Sequence, residues 1–326
     1  MEKILVSRTD GIGDLLLTTP LIHELKIKYP SVRLTVLASK YAGELLLNNP
    51  DVDNVIGYDK NGPKALLAVL KAEKFDTVIA VYPRPELAWL FFEAGIPQRY
   101  GTGSRLYSLF YNRPVWMSRK KSGISEADYN IMTAGRLLGR VQAVKEYYYM
   151  TADERQKGAE YAEQKGLKPD FIIIHPGSKG SAWNLSWKAY GRLAVELLAN
   201  GYRVLLTGGN AEKDMLLRIG DSIEKKDGLF VMDEELTMRE FAGIISQASV
   251  LISGSTGPMH IAAALGVRTL SFFPPDRIAA MKPARWAPLG NKKVILQPEG
   301  NLPKRLVMDS ISPGLILSKL KELIGE

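Results

Sequence analysis

Asp14 follows Gly11-Ile12-Gly13, just beyond an apolar run at residues 3–7 (KILVS). A carboxylate there suits a proton-accepting role at the mouth of a parallel sheet. It equally suits the first turn of a helix, where it complements the dipole. A second stretch, residues 251–267 (LISGSTGPMHIAAALGV), opens apolar, breaks into Ser253-Gly254-Ser255-Thr256-Gly257-Pro258, and closes on an Ala/Leu-rich run that Gly266 ends. That order reads as strand, tight turn and helix, with Pro258 suited to the first helical position and Ser255 or Thr256 to the cap. Two glycines let a ligand approach the backbone. The N–H groups and dipole at the helix start favour an anion, so the turn is a candidate phosphate seat, although an ordinary strand-to-helix turn has the same grammar.

Two more small-residue loops follow apolar runs: Pro176-Gly177-Ser178-Lys179-Gly180-Ser181 and Thr207-Gly208-Gly209-Asn210. Lys179 is placed for an anion, with Lys188 as the other option. Ligands of open α/β sheets sit beyond the carboxyl ends of strands, so three such loops point together at a phosphate. In the first half, Arg105, Arg113, Arg119, Lys120 and Lys121 form a basic cluster on loops. It reads either as a seat for an anionic acceptor or as a solvated face. Gly11-Ile12-Gly13 is a poor dinucleotide fingerprint: the third glycine would fall at Leu16, and Asp14 would repel a pyrophosphate.

Positioning these residues requires alternating strands and helices. Strands are expected at residues 3–7, 34–38, 52–58 and 77–81, with an extended piece beginning at 99–100. A single helix is expected over 14–28, with Pro20 early in it. Further helices are expected at 41–48, 64–71, 89–94 and 126–138. In the second half strands are expected at 171–174, 203–206, 230–232, 269–273 and 294–296. Helices are expected at 152–164 and 186–199, from Thr237 with Glu240 three residues on, and from Ser312-Pro313 to 324. No fixed-period repeat is visible. The reading is an α/β chain of 326 residues with a domain switch near residue 150.

Composition narrows the function. There is no cysteine, which excludes disulfides and thiolate chemistry, and with His23, His175 and His260 as the three histidines a histidine-rich metal site is not expected. The N-terminus does not read as a signal peptide, and no apolar stretch approaches the roughly 20 residues that span a bilayer. The net charge of +8 suits a phosphorylated substrate or an anionic membrane surface. The short basic blocks argue against nucleic acid.

Three blocks in order, ILVSRTDGIGDLLLTTPLIHELKIKYP, IIIHPGSKGSAWNLSWKAYGRLA with GYRVLLTGG, and SGSTGPMHIAAALGV with SFFPP and RWAPLG, resemble the ADP-heptose:lipopolysaccharide heptosyltransferases. These are inverting, metal-independent glycosyltransferases of family 9 with the GT-B fold. The resemblance covers nearly the whole chain. It implies two Rossmann-like domains facing a cleft: residues 1–150 for the acceptor, 151–308 for the nucleotide-sugar, and a C-terminal helix, 309–326, packing back on the first. It makes Asp14 the general base. It assigns donor binding to Ser178, Lys179, Lys188, Thr207, Gly208, Ser255, Thr256, Gly257, Pro258, Met259 and His260. Gly13, Arg105, Arg119, Lys120 and Lys121 face the acceptor. The implied partners are ADP-heptose or another NDP-sugar and a phosphorylated glycolipid, with no cofactor, at the inner face of the cytoplasmic membrane. A different NDP-sugar donor, or a sugar-nucleotide epimerase of the same fold, is the alternative. The chain departs from the family where Gly254-Ser255 replaces a common Asn-Asp pair, and where Trp183–Lys188 replaces a common Lys-Arg-Trp-Pro run. It also lacks the cysteines that many members carry near the C-terminus.

Overall fold

A computed structural model describes residues 1–119, 123–167, 170–178, 180, 182–290, 292–300 and 303–325. Contacts divide the chain into two units, Met1–Tyr149 and Met150–Glu326.

The first unit is built on a six-stranded sheet: β1 (Lys3–Arg8), β2 (Arg33–Ser39), β3 (Asn54–Tyr58), β4 (Thr77–Ala80), β5 (Gln98–Thr102) and β6 (Arg113–Val115). All its pairings are parallel and the order is β3-β2-β1-β4-β5-β6. Alternate residues feed two cores. Ile4, Val6, Val36 and Ile79 face one, while Leu5, Leu37, Val78 and Ala80 face the other. A parallel sheet covered on both faces reads in sequence as a continuous apolar run, which is why KILVS is recognisable.

The expected helix over 14–28 is two helices, Ile12–Leu16 and Thr19–Lys28. The break has a local cause. In a continuous helix the residue at 20 would donate to the Leu16 carbonyl, but Pro20 has no N–H and its ring crowds that oxygen. The Thr19 hydroxyl donates to the Leu16 carbonyl instead, at 2.6 Å, and the Thr18 hydroxyl to the Asp14 carbonyl at 2.8 Å. Similarly, the helix expected at 126–138 ends at Thr133 and continues as a tight turn, Gly135–Leu137.

The second unit repeats the topology with other residues: β7 (Ile172–His175), β8 (Val204–Leu206), β9 (Leu229–Val231), β10 (Val250–Gly254), β11 (Arg268–Phe272) and β12 (Lys293–Leu296). The order is β12-β11-β10-β7-β8-β9, again all parallel. Each sheet therefore reverses direction between its first and fourth strands, at β1/β4 and β7/β10. Ligands of doubly wound sheets bind at such switch points. The two units are Rossmann-like α/β domains of the GT-B kind.

The C-terminal helix Pro313–Ile324 corrects one expectation. Its buried residues Ile316, Leu317 and Leu320 complete the second core, among Leu193, Leu197 and Phe272, where the sequence reading had placed the helix against the first domain. Its apolar stripe matches the groove beside the helix Trp187–Ala199.

Helix Ala152–Gln164 opens with a reciprocal cap between Thr151 and Glu154. Glu154 also receives Arg239 from helix Met238–Ile245, with Nη2 at 2.7 Å. Hydrogen bonding from Arg239 is the main reason that the Glu154 carboxyl is lowered to about 2. The two helices cross at glycines. A Cβ on Gly158 would lie 2.1 Å from the Gly243 carbonyl oxygen. Gly158→Ala is therefore expected to destabilise the protein by about 1–3 kcal/mol. Gly314→Ala, on a helix with open space around it, is expected to be neutral. Denaturant midpoints for the two variants measure this, and equal midpoints would remove the crossing argument.

Candidate active site

Arg8 ends β1 and is buried. Burying a guanidinium is costly unless its donors are matched by acceptors and charge. Its Nε donates to Asp10 at 2.7 Å, its Nη1 to Glu126 at 3.0 Å and to Asn130 at 3.1 Å, and its Nη2 to Asp14 Oδ1. Burial works against the cation, but the three carboxylates outweigh it and raise its pKa. Asp14 is thus held by one oxygen. Its Oδ2 lies over Gly11, where a Cβ would approach to 3.0 Å. Glycine at 11 keeps that oxygen's surroundings open.

Glu126 and Asn130 come from helix Glu126–Thr133, capped by Ser125. Asn130 Nδ2 donates to the Leu17 carbonyl at 3.0 Å and to Thr18 Oγ1 at 3.1 Å, so the same helix holds the break beyond Asp14. Arg119 donates to Glu126 at 2.7 Å and to the Val81 carbonyl at 3.1 Å. Sequence reading identified Asp14 but missed Arg8, Asp10, Glu126 and Asn130. The available signal was an arginine ending a buried strand with acids two and six residues later.

Beside this network a cavity of about 360 Å³ opens beyond β4, β5 and β6, lined by Val81, Thr102, Ser104, Arg105, Met117 and Arg119. It brings Arg105 and Arg119 together in one lining. Arg119 is partly committed to Glu126, whereas Arg105 is exposed. Gly13 lies in the short helix with Asp14. Lys120 and Lys121 lie outside the described residues.

In the second unit the turn after β10 is the strand-to-helix junction expected from the sequence. Thr256 is the N-cap residue, extended at φ −134° and ψ 167°, with Gly257 and Pro258 opening helix Gly257–Ala264. No side chain caps this helix. Its first-turn amides at Gly257 and Met259 point beyond the strand end, which is anion-binding geometry. Ser255 is half-buried; Met259 and His260, in the first turn of the helix, are buried.

Adjoining loops follow from the strand order β10-β7-β8. Ser178 is half-buried beyond β7, and Lys179 lies outside the described residues. Lys188 is exposed, with its ammonium 5.6 Å from the Trp187 ring centroid. Thr207 is buried and pairs with His175 Nδ1 at 3.0 Å, tying the ends of β7 and β8. Gly208 lines a second cavity, of about 180 Å³, with His175, Glu234, Glu235, Met238 and Phe241. Burial works to raise the Glu234 carboxyl, but Lys165 and Tyr161 lower it to about 2. An ionised carboxylate only accepts hydrogen bonds, so this cavity suits hydroxyl or amino groups and not phosphate. Glu234 was not singled out in the sequence, because nothing local marks it.

Asp10 gives a pH signature. Burial raises its carboxyl to about 6, with Asp14 adding to the rise and Arg8 opposing it. A folded pKa above the unfolded value near 3.8 means that its stability contribution is full at low pH and is lost as pH rises through about 6. Asp10→Asn, which keeps an acceptor for Arg8, is expected to gain stability relative to the parent between about pH 4 and 6 and to hold a constant difference above. Thermal unfolding across pH measures it, and a pH-independent difference would discard the raised carboxyl.

Among the described residues, no group of three His, Cys, Asp or Glu side chains could hold a metal. The sequence model of glycosyltransferase family 9 (heptosyltransferase) matches residues 64–313. A candidate glycosyltransferase of Haemophilus influenzae is 29% identical over 99% of this chain and 97% of that protein. Lipooligosaccharide heptosyltransferase 2 of the same organism is 24% identical over 99% of this chain and 100% of its own length. Among solved structures, the Escherichia coli ADP-heptose lipopolysaccharide heptosyltransferase II superposes with a TM-score of 0.84 at 20% identity, over 99% of this chain and 98% of that one. With the family model matched over most of its length, the chain belongs to glycosyltransferase family 9 and is an enzyme that uses a nucleotide-sugar.

Proposed function

We propose that the protein is an inverting heptosyltransferase, moving a heptose from ADP-heptose to the inner core of a lipopolysaccharide at the inner face of the cytoplasmic membrane. The observation that carries the reading is the division of chemistry between the two switch points. One holds a carboxylate oriented by a buried arginine, the other a helix start with no side-chain cap. The heptose is supported by the activities named for the relatives above, and the phosphorylated acceptor by the arginine-lined cavity.

In the proposed reaction the acceptor oxygen attacks the anomeric carbon as Asp14 Oδ2 takes the hydroxyl proton. The bond from that carbon to the diphosphate oxygen breaks, and in-line displacement inverts the centre. The charge that develops on the diphosphate is met by the amides of Thr256, Gly257 and Met259 and by the helix dipole. Pro258 has no N–H to give. The nucleoside end of the donor occupies the cavity beside Gly208, its hydroxyls donating to Glu234. No described helix is long and apolar enough to cross a membrane, and the +8 charge favours peripheral attachment to an anionic surface.

A panel of ADP- and other NDP-sugars, scored by binding and then by transfer, tests the donor. Asp14→Asn is expected to lower turnover by about 10²–10⁴-fold with donor affinity unchanged. Near-parental transfer by this variant, with the donor still bound, would remove Asp14 as the base. Selective binding and transfer of a non-heptose donor would replace the heptose assignment.

A further inference from the structure

The first unit carries a second feature that transfer chemistry does not use. Leu106 is 96% exposed, Leu109 75%, Trp116 76%, Phe92 50% and Trp89 45%. They belong to one surface. Trp89 and Phe92 are three residues apart on helix Pro85–Glu93, hence on one face. The Phe92 ring lies 5.6 Å from that of Phe110, which ends the turn Leu106–Phe110. Trp116 lies over Gly103, 2.7 Å from where a Cβ would stand, shortly before the same turn. Single exposed apolar residues need no explanation, but a contiguous aromatic and leucine surface does.

The charge on the loop side of it is basic, while helix Pro85–Glu93 brings Glu86 and Glu93 beside Trp89, paired with Arg84 and Lys71. Between Glu93 and Glu126 the chain has six Lys and Arg and no Asp or Glu. Of these, Arg105 and Arg113 are exposed beside the turn. Arg99 holds the surface from beneath, donating to the Phe110 carbonyl at 2.7 Å and lying 5.4 Å from the Phe92 ring centroid. Exposed leucines at a turn tip, tryptophans beside them and the basic loop stretch that carries the turn match the layers of a bilayer interface: apolar depth, amphipathic boundary, anionic phosphate.

We propose that this face docks on an anionic lipid bilayer. Leu106 and Leu109 enter the boundary between headgroups and acyl chains, Trp89 and Trp116 lie at the interface, and Arg113 meets lipid phosphates. The inference deepens the peripheral attachment proposed above and rests on it. It is read without donor or acceptor, so its failure leaves the transfer reaction standing.

The test is co-sedimentation of the full chain with phosphatidylglycerol/phosphatidylcholine vesicles and with phosphatidylcholine alone. The parent is expected to bind the anionic vesicles, to lose binding at high salt, and to leave neutral vesicles largely unbound. The double variant Leu106→Ser/Leu109→Ser is expected to lower the partition coefficient at least tenfold. Arg113→Glu should lower it severalfold, and Leu217→Ser, an exposed leucine of the second unit, should leave it unchanged. Transfer to a water-soluble acceptor should be the same in all four proteins. Absent binding to anionic vesicles overturns the proposal, as does equal binding by the double variant. So does a parent dimer that the double variant dissociates without any vesicle binding, which would make the face a self-association surface.

Discussion

A positive charge buried at the end of β1 has to be neutralised from inside the protein, and the first unit is arranged around that requirement. Arg8 cannot reach water, so its donors are met by Asp10, Asp14, Glu126 and Asn130. Two of these are local to the strand end and two arrive from more than a hundred residues away. The helix that brings Glu126 and Asn130 also fastens the break after Leu16 and receives Arg119 from the edge of the neighbouring cavity. Orienting Asp14 and shaping the neighbouring cavity are thus consequences of one electrostatic demand. Removing a carboxylate from such a cluster leaves charge uncompensated, so its members act as a unit and not as separable pairs.

The second unit meets a different demand with the same topology. Both sheets reverse between their first and fourth strands, yet the crevice at β1/β4 is crowded with carboxylates, while the one at β7/β10 ends in a helix start without a side-chain cap. Carboxylates at one switch point suit a proton acceptor. An uncapped helix start at the other suits an anion. Glu234, held ionised by Lys165 and Tyr161, stands further along the sheet beyond β9, so its charge belongs with hydroxyl groups. The same strand order thus carries opposite charge at the two switch points.

How much of this was legible in the chain depended on how local each cause is. Buried strands, the reciprocal cap at Thr237/Glu240 and the turn at Ser253–Pro258 are set by neighbours within a few residues and read directly. Pro20 was visible, but its effect was not. Breaking the helix required the hydroxyls of Thr18 and Thr19 to take over carbonyls, an arrangement that propensity alone does not specify. The apolar stripe of Pro313–Ile324 was equally plain, while the core that receives it depends on the groove beside Trp187–Ala199. Arg8 is the extreme case. Its identity and position suggest nothing until Glu126 and Asn130 are folded against it.

The turn before Thr256 shows the same limit from the other side. A family pattern of Asn-Asp makes Gly254-Ser255 look like a loss of polar groups. In the fold, the space a side chain at 254 would need is taken. A Cβ there would fall 2.4 Å from Asn184 Oδ1. Asn184 accepts from the Tyr190 hydroxyl at 2.7 Å and donates to the Pro176 carbonyl at 2.8 Å. An amide from the loop after β7 therefore sits against the end of β10, braced at both of its polar atoms. Gly254 and Asn184 thus form one packing arrangement, in which glycine leaves the room that the amide fills. With serine at 255 and threonine at the cap position 256, the helix start at Gly257 has hydroxyl groups and no carboxylate in the two residues before it.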